Sequence, residues 1–198
     1  MKKVNLIFGT YNSQPPGNYD YIFEQAYQKA YKPFLTVLYN FPAIAVTLQY
    51  SGTLLQWLEE YHPEFIMLLN DMVKRRQVEL LTGGFFDPVF TLIPPSDRIG
   101  QIEKLTTYLR KKFGKRPRGC WITELSWEPS FGSMFNTCGI NYVFLDERQF
   151  LASGLTADDL LGPCITEDQG KTLLVFPLTT SITAKIPEKE PEEILNDI

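Results

Sequence analysis

Residues 119–139 read GCWITELSWEPSFGSMFNTCG, an apolar run that ends in a carboxylate and leads into a helical pattern. The run Gly119–Leu125 is typical of a buried strand. The segment Pro129–Cys138 is typical of a short helix that Gly139 stops. A strand followed by a loop and a helix is the repeating unit of parallel α/β folds, because neighbouring parallel strands need a crossover connection.

The same alternation runs along the rest of the chain. Strands are predicted at Val4–Phe8, Ala43–Tyr50, Val78–Leu81, Gly119–Leu125, Tyr142–Leu145 and Leu173–Phe176. The segment Val4–Phe8 is expected to be buried on both faces. Six strands with helices between them predict an α/β fold with a parallel sheet. A closed eight-stranded barrel needs roughly 250 residues, so the pattern leaves an open α/β sheet and a barrel cut short as alternatives.

Helical spacing is predicted between the strands, with identifiable start and stop residues. Ser51 and Ser96 are expected to cap the starts of two helices, and Gly114 is expected to end the second. Pro33 is expected to kink or split the helix over Tyr19–Tyr39. His62 is the one histidine of the chain, and its place before Pro63 predicts an exposed loop residue.

Composition excludes several classes of protein. The chain has 198 residues, a net charge of −4 and no long basic run, which argues against nucleic acid as a partner. No apolar stretch reaches the length that spans a membrane. The three cysteines have no metal-ligand spacing, and their odd number argues against a disulfide framework. We expect a cytoplasmic protein with one domain. Aromatic residues reach 14%, which fits a sugar-binding cleft and a phenylalanine-rich core equally well.

Polar and aromatic residues lie together where four of the predicted strands end. These strand ends are Tyr11–Pro15, Gly83–Pro88, Thr123–Pro129 and Asp146–Arg148. Function in parallel α/β folds is concentrated at this edge of the sheet. Carboxylates for acid–base chemistry beside rings that stack on sugar faces favour a carbohydrate site.

Glu124 is the strongest single candidate for a catalytic residue. It follows an apolar strand, where a carboxylate is costly unless it is paired or used in chemistry. The competing interpretation is an ion pair with a nearby arginine such as Arg118 or Arg148. The residues alone leave these two interpretations open.

Several motifs resemble glycoside hydrolase family 57, in order and at the family's spacing. Phe8–Pro15 resembles its first motif and Gln77–Pro88 its second. Trp121–Pro129 is similar to the third motif, which carries the nucleophile. Ile93–Arg98 and Gly139–Val143 also match. The resemblance covers most of the chain.

The resemblance implies an incomplete seven-stranded (β/α) barrel, here cut short at its C-terminus. It also implies a retaining mechanism on α-1,4-glucans or maltooligosaccharides, without cofactor or metal. Glu124 matches the nucleophile. The residues implied or expected to bind substrate are Tyr11, Ser13, Gln14, Glu79, Asp87, Trp121, Trp127 and Asp146. For Glu79, a solvent-facing strand position is the alternative. Homo-oligomerisation is left open.

Two departures from the family pattern affect these expectations. Tyr11 and Ser13 stand where the family usually has histidines, so the charge near the nucleophile must differ. The family's aspartate acid/base lies on a fourth motif, and the neighbours of Asp197 do not match that motif. We therefore expect residues 1–198 to form a partial catalytic domain, with an acidic tail from residue 186 that leads into further chain.

Three hypotheses follow. The first is a glucan hydrolase or transferase of the α-amylase or 4-α-glucanotransferase type whose acid/base lies outside this chain. The second is a non-catalytic carbohydrate-binding or regulatory protein on a degenerate scaffold of the same family. The third is a related sugar deacetylase, which a single histidine disfavours because that chemistry needs a metal held by His and Asp.

Overall fold

Seven strands form two linked sheets in residues 6–186 and 188–195, which are the residues that the computed structural model describes. The strands are β1 (Gly9–Asn12), β2 (Val46–Tyr50), β3 (Val78–Leu81), β4 (Gly119–Cys120), β5 (Tyr142–Asp146), β6 (Cys164–Asp168) and β7 (Lys171–Leu178). The order is β1-β2-β3 in one sheet and β4-β5-β7-β6 in the other. A parallel bridge between Thr82 and Cys120 joins the two sheets.

Helices separate successive strands from β1 to β6, which confirms the predicted α/β alternation. They are α1 (Asp20–Ala26), α2 (Lys32–Tyr39), α3 (Gly52–Tyr61), α4 (Pro63–Lys74), α5 (Pro95–Phe113), α6 (Phe131–Thr137), α7 (Glu147–Ala152), α8 (Thr180–Thr183) and α9 (Pro191–Leu195). None of these helices combines the length and the apolar character that crossing a bilayer requires. The last three residues of the predicted acidic tail, 196–198, and residue 187 lie outside the described part of the chain.

The expectation of parallel strands throughout is wrong at one edge, where β6 runs antiparallel to β7. The two strands form a hairpin whose turn residues, Gln169 and Gly170, have φ values of 53° and 75°. Two consecutive positive φ values are the mark of the tight hairpin turn that suits the twist of the flanking strands. The remaining pairings are all parallel.

The first strand lies further along the chain than predicted. Val4 and Asn5 are outside the described residues, and Leu6 and Ile7 are 59% and 50% exposed rather than buried. The neighbouring strand β2 begins only at Val46, so the paired register starts at Gly9 opposite Thr47. Apolar composition alone does not make a strand, because a strand also needs a backbone partner.

Pro33 is accommodated without a break in the first helical segment. Tyr27–Tyr31 forms a π-helical turn between α1 and α2, in which the N–H of Lys32 donates to the carbonyl of Tyr27. Proline lacks an N–H and its ring crowds the carbonyl four residues earlier. A wider turn relieves that conflict, and such π turns are usually short.

Two of the three predicted helix boundaries are confirmed. The hydroxyl of Ser51 accepts a hydrogen bond from the Leu54 N–H at the start of α3. Gly114 ends α5 in the left-handed conformation, with φ 72°. The same helix begins at Pro95 and not with a cap by Ser96, because the fixed φ of proline suits the first helical position.

His62 is not the exposed loop residue that the sequence predicts, since its side chain is only 14% exposed. Its ring stacks on Tyr27 with the ring centroids 3.6 Å apart. One ring nitrogen lies 2.7 Å from Glu24 Oε2 and the other 3.1 Å from Glu64 Oε1. Pro63 does separate two helices as predicted, but the His62 ring between them packs against other side chains of the protein.

The hydrophobic core has two parts. One lies between β2, β3 and helices α1–α5, and the other lies around β4, β5, β7 and α6. On the other face of the sheet, an open groove of about 400 Å³ runs past Phe8, Thr47, Tyr142 and Phe176.

Candidate active site

The segment that carries Glu124 is a strained turn and not the end of a long strand. The strand predicted over Gly119–Leu125 ends at Cys120, and Thr123–Leu125 forms a single 3₁₀ turn. Within that turn, Glu124 and Leu125 have φ values of 56° and 49°. Such conformations cost about 1–3 kcal/mol for a residue with a side chain and often mark functional sites.

Hydrogen bonds from neighbouring segments hold this turn. The N–H of Leu125 donates to the carbonyl of Ile122 over 2.9 Å. The side-chain amide of Gln149, on α7, donates to the carbonyl of Leu125 over 2.7 Å. The Thr123 hydroxyl donates to Oδ1 of Asp87 over 2.6 Å. These contacts fix the backbone on both sides of Glu124.

Asp87 joins the ends of three strands. Its own φ is 58°, so a second turn at the site is also strained. One carboxylate oxygen accepts from Thr123, and the other accepts from the hydroxyl of Tyr11. The segments that follow β3 and β4 are thereby tied to β1.

Tyr11 lies against Trp121, with ring centroids 5.3 Å apart and an angle of 18° between the ring planes. Burial raises the pKa of Tyr11, and so do the hydrogen bond to Asp87 and the negative charges of Asp87 and Glu124. A hydrogen bond from the Ser13 side chain acts in the opposite direction. These influences act at short range, so the structure gathers Tyr11, Ser13, Asp87, Trp121 and Glu124 in one place.

The Glu124 carboxylate is exposed and, among the described residues, makes no hydrogen bond or ion pair. The competing interpretation required an arginine partner. Arg148 is instead paired with Asp146, at 2.6 Å between Nη2 and Oδ2. Glu124 is therefore presented to solvent on a rigid turn, which is the arrangement that a nucleophile needs.

Gln14 and Trp127 contact other parts of the protein. The Gln14 amide donates to the Tyr31 hydroxyl over 3.1 Å and accepts from Asn18 over 3.0 Å. Trp127 packs edge-on against Phe131 with the ring centroids 5.7 Å apart. Both residues stabilise the segments next to the site through these contacts, none of which involves Glu124.

Glu79 and Asp146 also have partners within the protein. Glu79 accepts a hydrogen bond of 2.8 Å from the Tyr142 hydroxyl in the open groove, towards the start of the strands. Glu79 is nevertheless exposed on β3, so the alternative of a solvent-facing strand position is confirmed, with this hydrogen bond in addition. Asp146 caps α7, and its bonds to Arg148 lower its pKa to about 2. Nothing in these contacts brings either carboxylate to Glu124.

The sequence analysis did not single out two residues of the site. Thr123 appeared only as the residue before Glu124, yet its hydroxyl holds the turn. Gln49, on β2, is fully buried, and neither atom of its side-chain amide has a hydrogen-bond partner among the described residues. Its signal was available, because it is a polar residue near the end of the otherwise apolar run AIAVTLQY.

The sequence pattern of glycosyl hydrolase family 57 matches residues 9–187. The chain belongs to glycosyl hydrolase family 57. It is 41% identical to a 4-alpha-glucanotransferase of Thermococcus litoralis over 94% of its own length and 28% of that protein's. It is also 41% identical to an alpha-amylase of Pyrococcus horikoshii, over 98% and 31% of the two lengths. The chain thus spans less than a third of these relatives.

Comparison with solved structures also finds proteins of this family. The crystal structure of the Thermococcus litoralis 4-alpha-glucanotransferase superposes on the whole chain with a TM-score of 0.96 and 38% identity, covering 31% of that structure. The family 57 branching enzyme of Pyrococcus horikoshii has a TM-score of 0.73 at 13% identity, covering 91% of this chain and 48% of its own. At that identity the second likeness concerns the fold alone.

Within residues 6–186 and 188–195, no three His, Cys, Asp or Glu side chains come close enough to form a metal site.

Proposed function

We propose that this chain is the first part of the catalytic domain of a retaining enzyme that acts on α-1,4-glucans, as a hydrolase or as a glucanotransferase. The observation that carries the proposal is the state of Glu124. It is an unpaired carboxylate on a strained, firmly held turn, and Trp121 and Tyr11 lie beside it. The names of the similar proteins support the class of substrate.

Glu124 is assigned the role of nucleophile. In a retaining mechanism one carboxylate attacks the anomeric carbon, and a second carboxyl group about 5–5.5 Å away protonates the leaving oxygen. The same second group then removes a proton from the incoming water or sugar hydroxyl, and the glycosyl–enzyme bond breaks. The free Glu124 carboxylate is suited to the attack because no cation or hydrogen-bond donor among the described residues competes for it.

The second carboxyl group belongs, in this proposal, to a part of the protein outside these residues. Asp87 is bonded by Tyr11 and Thr123, and Asp146 is bonded by Arg148. Neither is available as a proton donor to a glycosidic oxygen. The similar proteins are about three times as long as this chain, which supports a further segment that supplies the acid/base.

The same extension would complete the incomplete seven-stranded barrel that the family resemblance implies. In the described residues β1 pairs only with β2, and β6 pairs only with β7. The sheet therefore has two edges and an open groove between them. The three free thiols, Cys120, Cys138 and Cys164, support a reducing, cytoplasmic location as part of the proposal.

The assigned binding residues divide into two groups. Trp121, Tyr11, Ser13 and Asp87 adjoin Glu124 and are proposed to contact or to frame the sugar next to the scissile bond. The others are Gln14, Glu79, Trp127 and Asp146. The contacts that these four residues make within the protein do not involve Glu124.

A non-catalytic carbohydrate-binding protein is the second candidate. The observation that favours it is Tyr11, whose uncharged ring lies on Trp121 where the family resemblance implies a histidine. The unpaired Glu124 favours the enzyme, since a binding protein has no need to keep a lone carboxylate on a strained turn.

Replacement of Glu124 tests the proposal in a longer polypeptide that contains this chain. Glu124→Gln keeps the shape of the side chain but removes its nucleophilicity. We expect turnover of maltooligosaccharides to fall on the order of 10³-fold or more, while calorimetric binding of maltotriose changes little. Glu103→Gln, on the exposed face of α5, is the matched control and should leave turnover unchanged. Near-normal turnover in Glu124→Gln would refute the assignment.

A further inference from the structure

Tyr11 occupies the surface of Trp121 that a sugar ring would use. The two rings are stacked 5.3 Å apart and nearly parallel. Phe144 lies at a tilt near the same indole, 6.4 Å away. A pyranose stacks its C–H face on an aromatic ring, so a sugar and Tyr11 cannot share that side of Trp121. As the structure stands, the position next to Glu124 is filled by the protein itself.

Beside this pair of rings lies a buried polar side chain without a partner. Gln49 is the register neighbour of Tyr11 on the adjacent parallel strand, so both side chains leave the same face of the sheet. Leu48 and Tyr50, on either side of Gln49, pack into the core beneath the helices on the opposite face. Gln49 has no exposed surface, and its amide nitrogen and oxygen are both unpaired among the described residues.

The indole nitrogen of Trp121, whose ring stacks on Tyr11, is a third unpaired polar atom. It too is buried and lacks an acceptor among the described residues. The backbones of Gly83 and Trp121 lie next to Gln49: a Cβ on Gly83 would be 3.2 Å from the Gln49 amide nitrogen and 3.2 Å from the backbone carbonyl oxygen of Trp121. The glycine therefore leaves room for the Gln49 amide beside the backbone of Trp121.

Buried polar groups are nearly always hydrogen-bonded, so three unpaired atoms on two residues that both neighbour Tyr11 indicate an occupant that is not part of the chain. The set comprises two donors, the amide and indole N–H groups, and one acceptor, the amide oxygen. Hydroxyl groups donate and accept at once and match such a mixed set. An anion would leave the amide oxygen unpaired, and a cation would face both N–H groups.

We propose that Tyr11 is a displaceable plug: it covers Trp121 in the free protein and swings away when a glucose unit binds, which brings hydroxyls of that unit to Gln49 and to the Trp121 N–H. The inference rests on the proposed function for the class of sugar. The side chain of Tyr11 is not enclosed, since the residue is 38% exposed. A side-chain rotation can therefore release it, at the expense of its bond to Asp87.

The plug weakens binding because the sugar must displace it. Tyr11→Ala removes the ring and should bind maltotriose at least about tenfold more tightly than wild type, equivalent to about 1.4 kcal/mol. Tyr11→Phe keeps the ring but loses the bond to Asp87, and should show a smaller gain. Tyr21→Ala removes an exposed tyrosine that stacks only on Tyr19 and is the matched control. Isothermal titration calorimetry measures all four affinities.

Gln49→Leu tests the proposed contact between the sugar and the buried Gln49 amide with two independent measurements. Removal of an unpaired polar group should raise the melting temperature of the free protein, and in the Tyr11→Ala background it should weaken maltotriose binding at least about tenfold. A residue that only fills space would not move these two quantities in opposite directions. Unchanged affinity in Gln49→Leu would overturn the inference.

Wild type provides a test that does not depend on any variant folding. Nuclear Overhauser contacts between the rings of Tyr11 and Trp121 should be present in the free protein and lost with saturating maltotriose. Any one of three results would overturn the plug. The first is that these ring contacts persist in the saturated protein. The others are that Tyr11→Ala binds maltotriose no more tightly than wild type, or that no variant binds it at all. Tighter binding by Tyr11→Ala without turnover in the longer polypeptide would refute the proposed catalysis and leave the plug in place.

Discussion

The hydroxyl of Thr123 donates a hydrogen bond of 2.6 Å to Oδ1 of Asp87, and this bond joins the strained turn after β4 to the strained turn after β3. Thr123 is buried, so its hydroxyl needs a partner within the protein. The backbone next to Glu124 is therefore held by Asp87, which lies 36 positions before Thr123 in the sequence. The bond fixes the point from which the Glu124 side chain projects.

Removal of that hydroxyl should destabilise the turn. Thr123→Val keeps the volume of the side chain but leaves an oxygen of Asp87 unpaired, which we expect to lower the free energy of unfolding by about 1.5–3 kcal/mol. Denaturant unfolding followed by circular dichroism measures the change. Thr123→Ser retains the hydroxyl and is the control. If Thr123→Val and Thr123→Ser unfold at the same denaturant concentration, the bond does not hold the turn.

The ion pair of Asp146 and Arg148 predicts a loss of stability in acid. The side-chain hydrogen bonds from Arg148 lower the pKa of Asp146 to about 2, whereas an unfolded aspartate titrates near 3.9. A carboxyl group whose pKa is lowered by folding stabilises the protein above the unfolded value, and that contribution disappears as the pH falls through the folded value. The relevant window thus runs from about pH 4 down to about pH 2.

Arg148→Met should therefore melt slightly below wild type at pH 7, and the difference should shrink between pH 4 and pH 2. The effect is small because Arg148 is largely exposed. Thermal melts across this range measure it. Lys171→Met removes an exposed cation that does not contact Asp146 and is the control. A difference of the same size at pH 2 and at pH 7 would show that the ion pair is not its source.

Much of the fold could be predicted from the sequence because its signals are local. Ser51 and Gly114 mark helix ends, Ser51 through its hydroxyl and Gly114 through its freedom to adopt a positive φ. The alternation of helices and strands appears as a change in the spacing of apolar residues along the sequence. The start of β1 at Gly9 depends instead on where its partner strand begins, which no local pattern states. The antiparallel β6 was missed for a related reason, since its alternate residues are exposed and its apolar signal is weak.

The candidate site was predicted in part. The motif resemblance selected Glu124, and the structure presents that carboxylate free of ion pairs. The network through Thr123 and Asp87 was not visible, because it links residues 36 positions apart. The sequence gives no sign that Tyr11 faces Trp121, since that contact depends on the register between strands.

The isolated chain should be inactive if the acid/base lies outside it. General acid–base assistance is typically worth about 10²–10⁴-fold, and within the described residues Asp87 and Asp146 are both engaged by other groups. We expect the 198-residue chain to turn over maltooligosaccharides at less than about a hundredth of the rate of a longer polypeptide that contains it. Rates within tenfold of each other would place the acid among these residues.

His62 connects three helical segments through its ring. Each nitrogen faces a carboxylate, Glu24 on α1 and Glu64 on α4, and the ring stacks on Tyr27 between them. Carboxylates only accept hydrogen bonds, so the ring is the donor wherever it bonds Glu24 or Glu64. The two contacts join α1 and α4 at the ring.

This cluster should make stability depend on pH in a defined direction. The pKa of Glu24 is lowered by its bonds to Gln28 and His62; for Glu64, burial acts to raise the pKa, but its own backbone N–H and His62 lower it overall. Both groups therefore stabilise the fold above about pH 4.5 and cease to do so as the pH falls through their lowered values. Glu64→Gln should thus be less stable than wild type at pH 6 and equally stable at low pH, as measured by urea unfolding from pH 6 to pH 3. Glu103→Gln, outside the cluster, should not show this pH dependence. If the deficit of Glu64→Gln were as large at pH 3 as at pH 6, the hydrogen bonds of the Glu64 carboxylate to His62 and Tyr27 would not be its cause.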